Sequence, residues 1–290
     1  MDPKLAAAYR ECTRRTRAAK SNFYYAFLTL PTYKRRSIYA IYAFCREADD
    51  TADSSAPLAE KRDKLAALRA RLHAVASGNP SLGVDLALAD TIARFSIDPQ
   101  DLAAIIDGVE MDLTVSRYPT FDELSTYCYR VASAVGLAVL PVLAGEPVED
   151  ETRARGIDLG IGLQIANIVR DVAEDAGRDR IYLPQEDLAR FGVTEDEVLS
   201  GTMSDRMRDL LAFEAGRARD LIKRGFKLIP ALPRHARPFP LFLGRVYGAI
   251  LDRIEACGYD VFSGRVSLTK FEKGSLLAHT FVGAFLWRGY

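Results

Sequence analysis

The chain is predicted to be all-α, a single helical domain spanning residues 1–290. Three observations predict this. Apolar residues recur at helical spacing in almost every segment, convincing strand alternation is missing, and Pro, Gly and Asn gather at the breaks. With 290 residues, 49% of them apolar and 27% charged, the chain has ample material for one core.

The elements follow in order. Residues 3–18 read as a basic amphipathic helix. Lys20 to Tyr25 is a break or helix start, with Ser21 or Asn22 able to cap, and Pro31 closes the next segment. Residues 33–53 form a helix, and so do residues 58–76, which stop at Ser77-Gly78-Asn79-Pro80. Residues 83–95 and 99–115 are helical, the second opened by Asp98-Pro99. Pro119-Thr120 precedes a helix from Phe121 to Leu143, and residues 151–175 make another. A loop from Ala176 to Pro184 lies directly beyond it, in a position suited to a lid. Short helices over 185–200 lead to a long one over 204–230. Four prolines between 230 and 240 bracket a turn region, followed by helices at 240–257 and 268–287. No internal repeat or low-complexity segment interrupts this pattern.

Composition excludes several roles. Lys plus Arg (39) equals Asp plus Glu (39), so no global field or basic run favours nucleic acid. Cys12, Cys45, Cys128 and Cys257 lack metal or redox spacing and read as reduced thiols of a cytoplasmic protein. His73, His235 and His279 are too scattered to suggest zinc. The N-terminus lacks the pattern of a secretion signal. No run reaches the ~18 apolar residues of a membrane span. The longest, Val135–Gly145, is broken by Pro141, so membrane contact is expected to be peripheral.

Two helices carry polar stripes. In Gly160–Asp175, an apolar surface is interrupted by Gln164, Asn167, Asp171 and Asp175 at offsets 0, 3, 7 and 11. At about 100° per residue these fall within roughly 80° of one another. Tyr42, Arg46, Asp49 and Asp53 repeat the geometry at offsets 0, 4, 7 and 11. Like charges one turn apart repel in a plain helix, and an unpaired carboxylate on an apolar face is costly. A solvated helix end explains one such pair. Two pairs, each continuing a polar stripe into apolar sequence, point to hard divalent cations whose remaining positions take substrate phosphates. Arg46 and Arg170 would add charge-assisted hydrogen bonds to a diphosphate. Such a site would stabilise a departing diphosphate and hence a carbocation.

The rest of that cavity should be apolar and lined with aromatics, for which Phe23, Tyr24, Tyr42, Tyr127, Tyr129 and Tyr247 are candidates. Val131–Gly136 is a small-residue stretch that serves either close helix packing or room for a lipid chain. Glu47 reads as a solvated acid. Gly160-Ile161-Gly162 lacks the third glycine and the preceding strand of a dinucleotide fingerprint.

These residues resemble the squalene/phytoene synthase family. The likeness is carried by Tyr39–Asp53, Tyr127–Gly136 and Gln164–Asp175 with Asp179–Pro184, and it runs from Ser21 to about Lys273. It implies an isoprenoid-synthase helical bundle around a central cavity. It implies head-to-head (1'–1) condensation of two prenyl diphosphates through a cyclopropylcarbinyl diphosphate. By that resemblance Asp49, Asp53, Asn167, Asp171 and Asp175 hold Mg²⁺, two or three ions, while Ser21, Asn22, Tyr42, Arg46, Gln164, Arg170, Tyr182 and Tyr247 contact substrate. Tyr127 lies near the reacting carbons. Where some members carry a His, this chain has Ala18-Ala19-Lys20, and Lys20 could take that contact. The resemblance leads first to a C30 presqualene diphosphate synthase of the hopanoid route, acting on farnesyl diphosphate. A phytoene synthase acting on geranylgeranyl diphosphate stands beside it, and an inactive helical prenyl-lipid binder is the alternative from another class. No fingerprint for NADPH is found. Downstream isoprenoid enzymes are the expected partners.

Overall fold

The computed structural model describes residues 2–18, 26–28, 30–81 and 83–286. These fold as helices α1 (Pro3–Ala18), α2 (Thr32–Asp53), α3 (Leu58–Ala76), α4 (Val84–Phe95), α5 (Pro99–Met111) and α6 (Phe121–Cys128). A π-helical turn, Tyr129–Ser133, carries α6 without interruption into α7 (Ala134–Ala144). Then come α8 (Asp150–Ala176), α9 (Gln185–Phe191), α10 (Glu195–Leu199) and α11 (Asp205–Gly225). A 3₁₀ turn (Phe226–Ala231), α12 (Pro238–Ala256) and α13 (Lys270–Leu286) complete the order. Among the described residues the only β pairing is an isolated bridge between Arg117 and Ile181.

Local chemistry starts these helices where the sequence says. The Asp98 carboxylate accepts from Gln100 N at 2.9 Å, with Pro99 as the first residue of α5. Thr194 and Glu197 form a reciprocal capping box on α10, and Ser204 caps α11. The predicted helix over 99–115 ends earlier, at Met111. Leu113 and Val115 prolong the apolar pattern, but the backbone turns there so that Ser116 O can accept from Ile181 N at 2.9 Å.

Helix α8 is the axis of the bundle, packed on the π turn, α7, α11 and α12. Its residues from Leu159 to Val172 are mostly buried, as their near-continuous apolar character requires. Gly160 lets α8 press against the π turn: a Cβ there would lie 2.5 Å from Ser133 Cα. Ser133 Oγ donates to Ile157 O across the same seam at 2.9 Å. The run Phe121–Ala144 is long and apolar enough by composition to cross a membrane, but 61% of its most apolar window is buried in the protein. It is a core helix, wrapped by α5 and α8.

Candidate active site

A cavity of about 360 Å³ lies between α2, the π turn with α7, α8 and α12. Its walls are apolar, built from residues such as Ile38, Ile41, Val131, Val135, Val139, Leu140, Leu163, Phe239 and Leu243. Its polar residues are Tyr42, Arg46, Asp49, Gln164, Asn167 and Tyr247. Tyr42, Arg46 and Asp49 of one stripe and Gln164 and Asn167 of the other therefore meet at one hollow, whereas Asp53, Asp171, Asp175 and Arg170 do not line it. The small-residue stretch serves both of its readings, since Ser133 packs on Gly160 while Val131, Ala132, Val135 and Gly136 line the cavity.

On α2, Asp49 is open to the cavity but has protein on most sides. That desolvation pushes its pKa up to about 6, against the pull of Arg46 and with repulsion from Asp53 and Asp112 adding to it. Arg46 Nη2 sits 2.6 Å from Asp50 Oδ1. Tyr42 packs edge-on against Phe27, ring centroids 5.7 Å apart.

On α8 the acids are held differently. Arg170, only 9% exposed, donates from Nε to Asp171 Oδ1 at 2.8 Å. Arg265 reaches the same carboxylate from outside, with Nε at 3.0 Å and Nη2 at 3.3 Å. Asp175 is half-buried, and its pKa rises to about 7 through burial, with Asp171 adding and Arg178 and Arg180 opposing. The Tyr247 hydroxyl is buried against Asn167 and Arg170, and burial raises its pKa. Asn167 Nδ2 donates to Gln164 Oε1 at 3.2 Å.

Asp112 joins the two sides, and sequence reasoning did not single it out. Its Oδ1 accepts from Tyr127 Oη at 2.9 Å and from Tyr182 Oη at 3.0 Å. Arg180 Nη2 donates to the Asp112 carbonyl at 2.7 Å. The Asp112 charge is felt by Asp49 on one side, and Tyr182 lines a small recess with Asp175 on the other. Burial raises the pKa of Asp112, against the hydrogen bonds from both tyrosines. Tyr118, Tyr127 and Tyr182 form an aromatic cluster with centroids 5.2 to 5.8 Å apart. The loop from Ala176 to Pro184, expected as a lid, is pinned down by Ile181 and by Arg117, which pairs with Asp179 at 2.7 Å.

Some expectations are corrected. Neither Tyr127 nor Tyr129 lines the cavity: Tyr127 is turned to Asp112, and the charges nearest the Tyr129 phenol are Asp101 and Arg153. Cys257 is exposed, while Cys12, Cys45 and Cys128 are buried. Glu47 is ion-paired with Arg71 and lies 3.6 Å from Arg15, so it is not simply solvated. Ser21, Asn22, Phe23, Tyr24 and Lys20 lie outside the described residues. Arg265 was also missed, because it follows Asp171 by 94 positions and meets it only in the fold.

Among the described residues, no three His, Cys, Asp or Glu side chains gather as a ready-made metal cage. The five expected ligands are thus not preassembled into one centre. The donor set instead fits cations held by one or two carboxylates and completed by phosphate oxygens, the habit of Mg²⁺. The raised pKa values of Asp49 and Asp175 mark carboxylates short of positive charge, which such ions would supply.

Comparison with known proteins agrees with this geometry. Residues 16–272 match the family model for squalene/phytoene synthase. The chain is 39% identical over 280 residues to the 15-cis-phytoene synthase of Synechococcus elongatus, covering 93% of this chain and 91% of that protein. It is 41% identical over 269 residues to the 15-cis-phytoene synthase of Synechocystis, covering 89% and 80%. A solved dehydrosqualene synthase superposes with a TM-score of 0.89 at 28% identity, covering 98% of each chain. Squalene synthase HpnC from Alicyclobacillus acidocaldarius superposes with a TM-score of 0.85 at 29% identity, covering 89% of this chain and 97% of that one. A match of that reach, on a bundle that superposes nearly end to end, makes this chain a member of the squalene/phytoene synthase family and a prenyltransferase.

Proposed function

We propose that the protein is a phytoene synthase that joins two geranylgeranyl diphosphates head to head. The observation that carries the reaction class is the cavity itself, an apolar hollow with Tyr42, Arg46 and Asp49 of α2 facing Gln164 and Asn167 of α8 at its polar end. The C40 product, rather than the C30 product reached first from the resemblance, is favoured by the relatives of about 40% identity named phytoene synthases. The hopanoid-route reading has no comparable support among them.

In this reading Asp49 and Asp53 on α2, with Asn167, Asp171 and Asp175 on α8, would hold Mg²⁺. Bound cations would neutralise diphosphate charge and make it a better leaving group. Arg46 and Arg170 bind diphosphate oxygens by charge-assisted hydrogen bonds. As the C1–O bond of one substrate breaks, the electron pair leaves with its diphosphate. The double bond of the second substrate then attacks the allylic cation, and loss of a proton closes a cyclopropylcarbinyl diphosphate. Departure of that second diphosphate, rearrangement and loss of a second proton give the C40 hydrocarbon. Tyr127 and Tyr182 keep their protons at neutral pH because burial raises both pKa values. The rings that line the cavity, Tyr42 and Tyr247, would stabilise the cation through their faces. The apolar walls exclude the water that would quench it. No hydride donor enters this reaction.

Purified protein incubated with Mg²⁺ and either farnesyl or geranylgeranyl diphosphate tests the proposal. A C40 hydrocarbon is expected. A C30 diphosphate restores the farnesyl reading, and no turnover of either leaves a lipid-binding role.

A further inference from the structure

We infer that Gly136 is a specificity-determining residue, whose missing side chain keeps the deep half of the cavity open to the longer prenyl tail. The inference rests on the phytoene synthase reading. Three glycines line the cavity, and they differ in kind. Gly160 is required by close packing, since a Cβ would meet Ser133 Cα at 2.5 Å. A Cβ on Gly156 would rest at ordinary contact, 3.5 Å, on Leu137 and Leu140. A Cβ on Gly136 would meet no atom within 4 Å. Gly136 is exposed, and it opens onto the cavity.

Gly136 also has no backbone reason to be glycine. It is the third residue of α7, in the middle of a helical run from Phe121 to Ala144, and its φ is not positive. Glycine in a helix interior costs stability relative to alanine. Here that cost is not offset by a close approach, so the void it leaves is the feature to explain.

Its depth says which tail would feel a side chain. Helix α7 pairs with α8 so that Ser133 faces Gly160 while Leu137 and Leu140 face Gly156. Gly136 therefore sits between those two levels, four to eight residues below Gln164, or roughly 6–12 Å at 1.5 Å per residue. The near half of each tail passes this level in either substrate. A side chain at 136 obstructs what lies beyond, and the C20 tail, longer by one isoprene unit, extends further there.

The test is kcat/KM for geranylgeranyl and farnesyl diphosphate, with Mg²⁺, in wild type, G136A, G136L and the control G216A. Gly216 is also uncrowded, but it lies on α11 and does not line the cavity. Both alanine variants should melt a few degrees or less above wild type, from helix propensity alone. G136L should lose ~100-fold or more on the C20 substrate and clearly less on the C15 substrate, with G136A intermediate, as added methylenes in an apolar pocket act. G216A should leave the ratio unchanged. If wild type makes the C40 product while folded G136A and G136L keep its C20-to-C15 ratio, the inference is overturned alone. A wild type that prefers the C15 substrate or turns over neither overturns the proposed function, and this inference with it.

Discussion

Two helical turns of this molecule carry the same sequence device and end in opposite electrostatic states. Asp49 and Asp53 on α2, like Asp171 and Asp175 on α8, are carboxylates four residues apart beneath a polar stripe. Asp49 opens to the hollow, and among the described residues no side chain donates it a hydrogen bond. Asp171 is clamped between Arg170 and Arg265. Identical spacing thus fixes where the acids stand but not how they are balanced. The α2 side offers unsatisfied negative charge. On α8 Asp171 is already paired, so a cation there must share it with two guanidiniums, while Asp175 is left short of positive charge as Asp49 is.

The largest test of this contrast is loss of turnover. Asp49→Asn and Asp171→Asn should each lower kcat/KM for prenyl diphosphate by about 10³-fold or more, because each removes charge from the leaving-group site. Near wild-type rates in either would break the assignment. Next comes the hub between them. Asp112→Asn should cost on the order of 10²-fold, since both tyrosines lose a charged acceptor and Arg180 an attractive neighbour. A rate within twofold of wild type would confine Asp112 to packing.

Stability sharpens the comparison further. Measured without metal, Asp171→Asn should destabilise by about 1–3 kcal/mol, because Arg170 is buried and loses its charged partner. Asp49→Asn should leave the melting temperature unchanged or slightly raised. The reverse order would show that Asp49 is the paired acid.

The smallest effect comes from a buried acid outside the site, which serves as reference. Glu214 on α11 is 1% exposed, with Oε1 2.7 Å from Arg217 Nη1 and Oε2 without a donor among the described residues. Burial pushes its pKa from 4.5 up to about 8, against the pull of Arg217. Between those values the native state holds a proton that the unfolded chain has released, so stability falls as pH rises through that window. The slope is at most ~1.4 kcal/mol per pH unit. Glu214→Gln should flatten it, as urea melts at pH 5 and pH 8.5 would read. An unchanged slope would place the proton elsewhere.

Much of this was legible in the sequence because a helix repeats. The stripes on α2 and α8, the start of α5 at Asp98-Pro99, and the core run of α8 all declare themselves by period or neighbour. Asp112 could not declare itself. It stands alone at the end of α5, and its meaning comes from Tyr127 and Tyr182, 15 and 70 residues away. The end of α5 misled for a related reason, since Leu113 and Val115 keep the helical pattern while a distant strand-like partner, Ile181, draws the backbone out. The pairing of Asp171 was equally hidden, because Arg265 gives no periodic signal of its own.

The contact between Gly160 and Ser133 has a consequence for what the hollow can admit. Backbone meets backbone there with only the Ser133 hydroxyl between, so the wall cannot dilate at that seam without parting two helices. A flexible tail can still thread past it end first. A ligand carrying a ring or a bulky branch at that height should be refused by girth, however short it is.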